Sequence, residues 1–255
     1  MIPASVQKWI VPVTLMVLWE VLGRAGSLPS YLSYPTIIGA TLWEITVSGE
    51  LATHLWASVF RVYGGYALGA AAGVTIGLGA GLLLPVRSFF DPLVSFLYPI
   101  PKVAFLPIFL LLFGLGHASK VIMIAFSVFF PVFINSRYAV ISVNKLYIWT
   151  AQNMGASRRT VFFRVVLPAA LPQLFSGLRV GMALSFILLF AGELIGSRAG
   201  LGQLIIQGEE WVRFDLMFAG IVCFAVLGFI SDRVLMAIRK RMLKGHLIGT
   251  EEQVI

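Results

Sequence analysis

Long apolar runs separated by short polar links make up most of the chain. Their lengths predict about six membrane-spanning helices, because roughly 20 apolar residues in a helix cross the hydrocarbon of a bilayer. The expected spans are Trp9 to Leu22, which is short, then about 58–84, 96–115, 119–141, 171–192 and 215–236. A polar stretch rich in Ser, Thr, Pro and Gly follows the first span as far as about Leu55. The alternating pattern of a membrane barrel is absent. One stretch breaks the rhythm. WTAQNMGASRRTVFFRVVLPAALPQLFSGLRVGM, Trp149 to Met182, is basic and punctuated by Gly and Pro. Around it the pattern predicts two short helices, about 145–154 and 158–167. Gly155 suits a left-handed cap after the first, the Ser157 hydroxyl can cap the second, and Pro168 ends it. Val161, Phe162, Val165 and Val166 give the second helix an apolar face. Helices of about ten residues do not persist alone in water, so both need a surface to dock on.

Composition fits this picture: 59% of the 255 residues are hydrophobic, only 12% are charged, and the mean hydropathy is +0.93. A soluble domain carries about twice that charge. The net charge of +8 suggests nucleic acid only until the charges are placed. Lys145, Arg158, Arg159 and Arg164, Arg87, and the tail Arg239, Lys240, Arg241 and Lys244 fall in links on one side of a six-span chain. That is the cytoplasmic side by the positive-inside rule. Glu44, Glu50, Glu209, Glu210 and Asp215 fall on the other side. The expectation is a multi-pass protein of the cell (inner) membrane with both termini cytoplasmic and no role for nucleic acid. Cys223, alone, excludes an internal disulfide. With Lys8, Glu20 and no cleavage site, the first run reads as a retained span rather than a signal peptide. No composition shift marks a second domain, so residues 1–255 read as one domain with a core of about 55–236.

Several positions inside the spans stand out. Gly65, Gly69, Gly73, Gly77 and Gly81 recur at every fourth position, with Ala57, Ala72 and Ala80 nearby. Such a stripe lies on one helix face and admits a second helix closely. It serves either packing within one bundle or a moving or dimer-facing contact. Pro99, Pro101 and Pro107 each remove a backbone donor from YPIPKVAFLPIFLLLFGLG. A broken helix at membrane depth faces protein or a water-filled cavity, so this span lines a pathway or is a kinked packing helix. Lys102 and Arg179 are cations that could attract an anion, although Arg179 has a structural reading too. Arg61 and Glu193 fall near outer ends, where Glu193 would orient an outer helix. Phe105, Phe109, Phe113, Phe126, Phe129, Phe130 and Phe186 make any pathway apolar and aromatic. Leu201, Leu204, Ile205 and Trp211 suggest an amphipathic helix on the outer surface. His54, His117 and His246 lack metal-ligand spacing and read as surface or interface residues. The pathway or packing candidates are therefore Gly69, Gly73, Gly77, Pro101, Lys102, Pro107, Arg179 and Glu193.

Arg158 and Arg159 sit in a first helical turn, where the helix dipole disfavours cations. Lipid phosphate or an acidic groove on a partner would offset this. Gly155-Ala156-Ser157, Leu167-Pro168, Leu171-Pro172 and Gly177-Leu178-Arg179 together resemble the cytoplasmic signature of ABC importer permease subunits. The resemblance is to the nitrate, sulfonate, taurine and bicarbonate branch. Tyr34-Pro35, the Pro99 to Gly116 stretch, and Glu193 before Gly200-Leu201-Gly202 are similar to that branch as well. The family's Glu-Ala-Ala falls on Trp149, Thr150 and Ala151, so only the last alanine matches. A charged contact through position 149 is thereby excluded.

The resemblance implies an all-α polytopic membrane fold like that of type I ABC importer permeases, with cytoplasmic coupling helices at 145–167. It implies two cytoplasmic ATPase subunits, a second permease subunit forming a homodimer, and an extracytoplasmic binding protein meeting residues 200–215. Ala151, Gly155, Ala156, Ser157, Arg158, Arg159, Phe162, Phe163, Leu167 and Pro168 would carry the ATPase contact. No Gly-x-x-x-x-Gly-Lys-Ser/Thr loop occurs, so ATP and magnesium are expected on the partner and the chain itself is not an enzyme. The implied cargo is a small sulfonate-, taurine- or nitrate-like anion, with an aromatic or heterocyclic vitamin precursor as the alternative. A stand-alone secondary transporter would show internal repeats or charge pairs at mid-span, and neither is expected here. A membrane enzyme would need His-Glu-x-x-His or Gly-x-Ser-x-Gly, and neither occurs.

Overall fold

A computed structural model describes residues 4–243, with side chains from Ile10 onward; the side chains of Lys8, Lys244 and His246 lie outside the described residues. The helices are α1 Ala4–Arg24, α2 Pro35–Val47, α3 Glu50–Leu82, α4 Leu84–Leu97, α5 Leu106–Phe113, α6 His117–Ile141, α7 Lys145–Asn153, α8 Arg158–Val161, α9 Leu167–Leu194, α10 Leu201–Glu210 and α11 Phe214–Leu243. Four stretches are long and apolar enough to cross a membrane: Glu50–Leu82, His117–Ile141, Arg158–Leu194 and Phe214–Leu243. A bent pair, Leu84–Leu97 with Lys102–Phe113, makes a fifth. Helix α1 occupies the place of the expected first span and exposes Val11, Leu15, Val17 and Val21, but it is not among the helices long and apolar enough to cross, so the described residues give four to five spans where six were expected.

The described residues form two compact units, one of 4–58 and 193–226, the other of 59–192 and 227–243. Helix α6 is the centre of the second, with Met123, Ile124, Val128, Val132 and Phe133 almost wholly buried. The glycine stripe of α3 lies against it. A Cβ at Gly65 would come within 2.6 Å of Ile124, at Gly73 within 2.8 Å of Val132, at Gly77 within 2.6 Å of the Phe133 carbonyl, and at Gly81 within 2.6 Å of Val140. One at Gly69 would meet the Ala125 carbonyl. From α9, Gly177 and Gly181 approach α6 at Asn135 and at Val128 and Val132. The stripe is thus packing within the chain. It is not the dimer-facing contact that the sequence left open, because the facing residues belong to α6.

The third expected span, about 96–115, covers only the second arm of a bent pair, Leu84–Leu97 and Lys102–Phe113, whose arms meet at 94°. Pro107 sits in the first turn of α5, where its missing donor costs nothing. Several of the aromatic residues named for a pathway pack on one another: Phe126 lies 5.3 Å from Phe105, 5.7 Å from Phe109 and 5.0 Å from Phe130 between ring centres. Phe130 is a core residue.

Two expectations change in the first unit. The link before Leu55 contains helix α2, begun by Pro35 and burying Ile38, Thr41 and Ile45. Its spacing of three and four is the pattern of one helix face, which a reading of the stretch as polar overlooked. Helix α10 does not lay its apolar side on a membrane surface. Leu204 is buried with Ile38, Ile45, Leu216 and Ala219 of α2 and α11, and of the four residues expected on the membrane surface Trp211, beyond the helix end, is the exposed one.

Gly73→Ala should destabilise the purified protein by about 1–3 kcal/mol through overpacking against Val132. Gly39→Ala in α2 meets open space and should be neutral or slightly stabilising. Thermal unfolding in detergent checks the pair; equal Tm values for Gly73→Ala and the parent would remove the close contact.

Candidate functional site

The segment of residues 144–168 is built by local hydrogen bonds. The Asn144 side chain caps α7 by accepting from the Leu146 amide at 2.9 Å. At the other end Gly155 takes φ +82°, its amide donates to the Gln152 carbonyl at 2.9 Å, and the Ala156 amide donates to the Ala151 carbonyl at 3.0 Å. This paired closure needs a left-handed residue at position 155, and glycine adopts that without strain. Ala151 and Ala156 then pack together on Val140, Val143, Val161 and Val166. Ala151, Gly155 and Ala156 are therefore three parts of one helix end. Ser157 caps α8, accepting from the Thr160 amide at 3.3 Å.

The second helix does not stop at Pro168, contrary to the sequence expectation. Residues Arg158–Leu194 run as one helix, with a wider π turn at Phe162–Val166. In it the Leu167 amide bonds the Phe162 carbonyl, one residue further back than in an α-helix. The extra residue in the turn relieves the clash of the Pro168 ring with the preceding carbonyls. Span α9 is therefore continuous with α8. The face that packs inward is Val161 and Val166, helped by Phe162 and Val165. The face left outside carries Leu146, Tyr147, Trp149, Met154 and Phe163, the last beneath Arg159 at 5.9 Å. Arg158 is exposed beside them. An exposed apolar patch rimmed by cations is suited to a protein partner.

The pathway cations are both engaged. Lys102 donates to the carbonyls of Leu97, Tyr98 and Ile100 at 2.9, 2.8 and 2.7 Å and lies 4.6 Å over the Phe130 ring. The carbonyls of the turn between α4 and α5, that of Leu97 four residues before Pro101 among them, thus find a donor in this ammonium. Arg179 of α9 pairs with Asp232 of α11 through contacts of 2.8 and 3.2 Å. This is a charge pair inside two spans, which the sequence reading did not expect. Asp232 lies 53 residues away in the chain, so spacing gave no hint of it. Lys120, wholly buried, donates to the Leu115 carbonyl at 2.7 Å, and Arg61 donates to His117 at 3.2 Å.

Glu193 is fully buried in the first unit. Its carboxylate accepts from the Ser58 hydroxyl at 2.8 and 2.9 Å and from the Gly202 amide at 2.9 Å, at the N-terminal end of α10. There a negative charge is favoured by the helix dipole. Ser58 also accepts from the Leu201 amide at 2.8 Å. His54, expected at a surface or an interface, is buried with Nδ1 2.8 Å from the Gly200 carbonyl. Nearby, Arg213 contacts Asp215 at 2.9 Å and Glu44 at 3.5 Å. The hydrogen bond to Asp215 raises its guanidinium pKa above the ordinary value. Among the described residues no cluster of His, Cys, Asp or Glu could hold a metal ion.

The helices are long and apolar enough for four to five membrane crossings, and a basic capped segment is exposed between two of them. The chain belongs to the family of binding-protein-dependent transport system inner membrane components, whose profile matches residues 73–244. A Bacillus subtilis (strain 168) relative, named as the aliphatic sulfonates transport permease protein SsuC, is 33% identical over 92% of this chain and 86% of its own. The taurine transport system permease protein TauC of Escherichia coli (strain K12) is 34% identical over 81% of this chain and 72% of its own. The nitrate import permease protein NrtB of Synechocystis is 26% identical over 91% and 86%. The fold is that of the inward-facing MetNI methionine ABC transporter: a TM-score of 0.57 at 20% identity, over 73% of this chain and 96% of that one. The chain is therefore a membrane-spanning ABC importer permease, and importers of this family hydrolyse ATP on a separate subunit.

Glu193→Ala should leave the Gly202 amide without its acceptor and raise its hydrogen exchange about tenfold or more, while Glu209→Ala should not. Unchanged exchange at Gly202 would show that the carboxylate does not hold this helix end.

Proposed function

We propose that this chain is the permease of an importer for a small sulfonate-, taurine- or nitrate-like anion delivered by an extracytoplasmic binding protein. The single observation that carries the cargo class is the set of relatives whose names assign them aliphatic sulfonates, taurine and nitrate. Two copies of the chain would form the translocating unit with two cytoplasmic ATPase subunits, which would hold ATP and magnesium. Both termini would be cytoplasmic, as the basic residues of 142–170 and 239–241 favour.

Residues 145–168 would dock into the ATPase. The exposed Trp149 and Met154 favour an apolar notch there, with Arg158 and Arg159 meeting an acidic rim. The site on the partner that meets position 149 would then contribute no cation, since Trp149 offers no carboxylate to pair with it. On the far side the α10 region, residues 200–215, would face the binding protein. Motion of the docked segment would reach the spans through the unbroken helix 158–194, so closure of the ATPase pair would move α9 directly.

Tagging the chain, extracting it in mild detergent and identifying what co-purifies tests this arrangement. A nucleotide-binding subunit should be recovered in equal amount, and Arg158→Glu with Arg159→Glu should abolish its recovery while membrane insertion is unchanged. Unaltered recovery in the charge-reversed protein would remove the docking role.

A further inference from the structure

Helix α10 ends at Glu210 in a turn that its own residues do not favour. The Val212 amide donates to the Glu209 carbonyl at 3.1 Å and the Arg213 amide to the Gly208 carbonyl at 2.8 Å. The same paired closure ends α7 at Gly155, and here it places Val212 at φ +57°. Among the described residues six positions of positive φ are glycines, and Val212 is the one that is not. The left-handed region crowds Cβ against the backbone, and a β-branched residue there is a genuine outlier. Glycine or asparagine would close the turn without that strain. The surroundings hold the turn in place. A Cβ at Gly208 would meet the Met217 amide, so α10 and α11 approach there backbone to backbone. The Arg213 guanidinium is pinned by Asp215 at 2.9 Å, and Asp215 accepts from the Thr41 hydroxyl of α2 at 2.7 Å. Strain maintained in this way collects at working sites. Packing does not explain the valine, because Val212 is 70% exposed and Trp211 beside it 60%. The two form an apolar tip, preceded by the exposed Glu209 and Glu210.

We propose that Trp211 and Val212 form a knob that seats in an apolar pocket of the extracytoplasmic binding protein, with cations on the rim of that pocket meeting Glu209 and Glu210. The proposal rests on the importer reading above and names the contact within residues 200–215. A side chain held at a conformational cost and turned to solvent stabilises nothing within the chain. Its apolar surface is of use only against a partner. Large aromatic residues are common anchors of protein interfaces. The closed turn already fixes the backbone beneath both side chains, so docking has little left to order. The paired glutamates suit a cationic rim, and charge complementarity of this kind speeds encounter more than it tightens the complex. A lipid surface is the other apolar occupant, since tryptophan is enriched at membrane interfaces. Two adjacent carboxylates disfavour it, because anionic headgroups repel them.

The binding protein, captured once by cross-linking to the full-length chain and then purified, is titrated onto the complex of the chain with its ATPase in nanodiscs. Trp211→Ala and Val212→Asn should each weaken binding about tenfold or more. Val212→Asn should at the same time raise the Tm of the chain by about 2–4 °C, because asparagine tolerates the left-handed conformation. Higher stability with lower affinity is a combination that a purely structural role does not give. Glu209→Lys with Glu210→Lys should slow association about tenfold at low salt and leave dissociation nearly unchanged. Equal affinity in the two tip variants, a lowered Tm for Val212→Asn, or an unaltered association rate on charge reversal would each overturn the proposal. So would tip variants that lose stability in nanodiscs but not in detergent, as loss of a lipid anchor would give. A parent chain that captures no binding protein defeats the importer reading, whereas a parent that binds it no more tightly than the tip variants do defeats the knob alone.

Discussion

The close approach of glycine faces to α6 is the constraint on which the second unit depends. With side chains at Gly65, Gly69, Gly73, Gly77 and Gly81, α3 would have to stand away from α6, since the facing atoms are backbone carbonyls and β-branched side chains that cannot yield. Lipid is as apolar as the helices themselves, so there is little hydrophobic drive to hold the bundle together. Contact at van der Waals distance along a whole helix replaces it. Helix α9 uses the same device at Gly177 and Gly181. Helix α6 is thereby clasped by two neighbours, and its far end, Val140 with Val143, is the surface on which the 145–168 segment rests.

That connection turns packing into mechanism. The 145–168 segment is anchored twice, by its valines on the end of α6 and by covalent continuity with α9. A flexible linker at either place would absorb displacement. Instead, the helix end at Gly155 is closed by backbone hydrogen bonds, and the passage through Pro168 is a π turn rather than a break. The bent pair α4 and α5 is stiffened in another way, by an ammonium that gathers three carbonyls of the turn between them.

Much of this was legible in the sequence. Apolar run length gave four of the six expected spans and one arm of a bent fifth, four-residue glycine spacing gave a close helix face, and Gly155 with Ser157 gave the two caps. What was not legible depends on partners distant in the chain. The Asp232 partner of Arg179, the Arg137 partner of Asp91 and the burial of Lys120 follow from how helices meet, and no local pattern encodes that. Pro168 misled because a proline is read as a terminator, whereas one extra residue in the preceding turn accommodates it. The apolar face of α2 was hidden by the polar residues around it, and that of α10 was assigned to the membrane because only its own periodicity, and not the facing core, can be seen in a sequence.

The most direct test of the account is uncoupling. Proteoliposomes carrying this chain, its ATPase and its binding protein would be assayed for ATP hydrolysis and solute uptake together, with Val165 and Val166 both replaced by Gly to loosen the join between the docked segment and α9. The account predicts that the ATPase stays bound and hydrolyses ATP while uptake per ATP falls steeply. Uptake that keeps pace with hydrolysis in the loosened protein would contradict it.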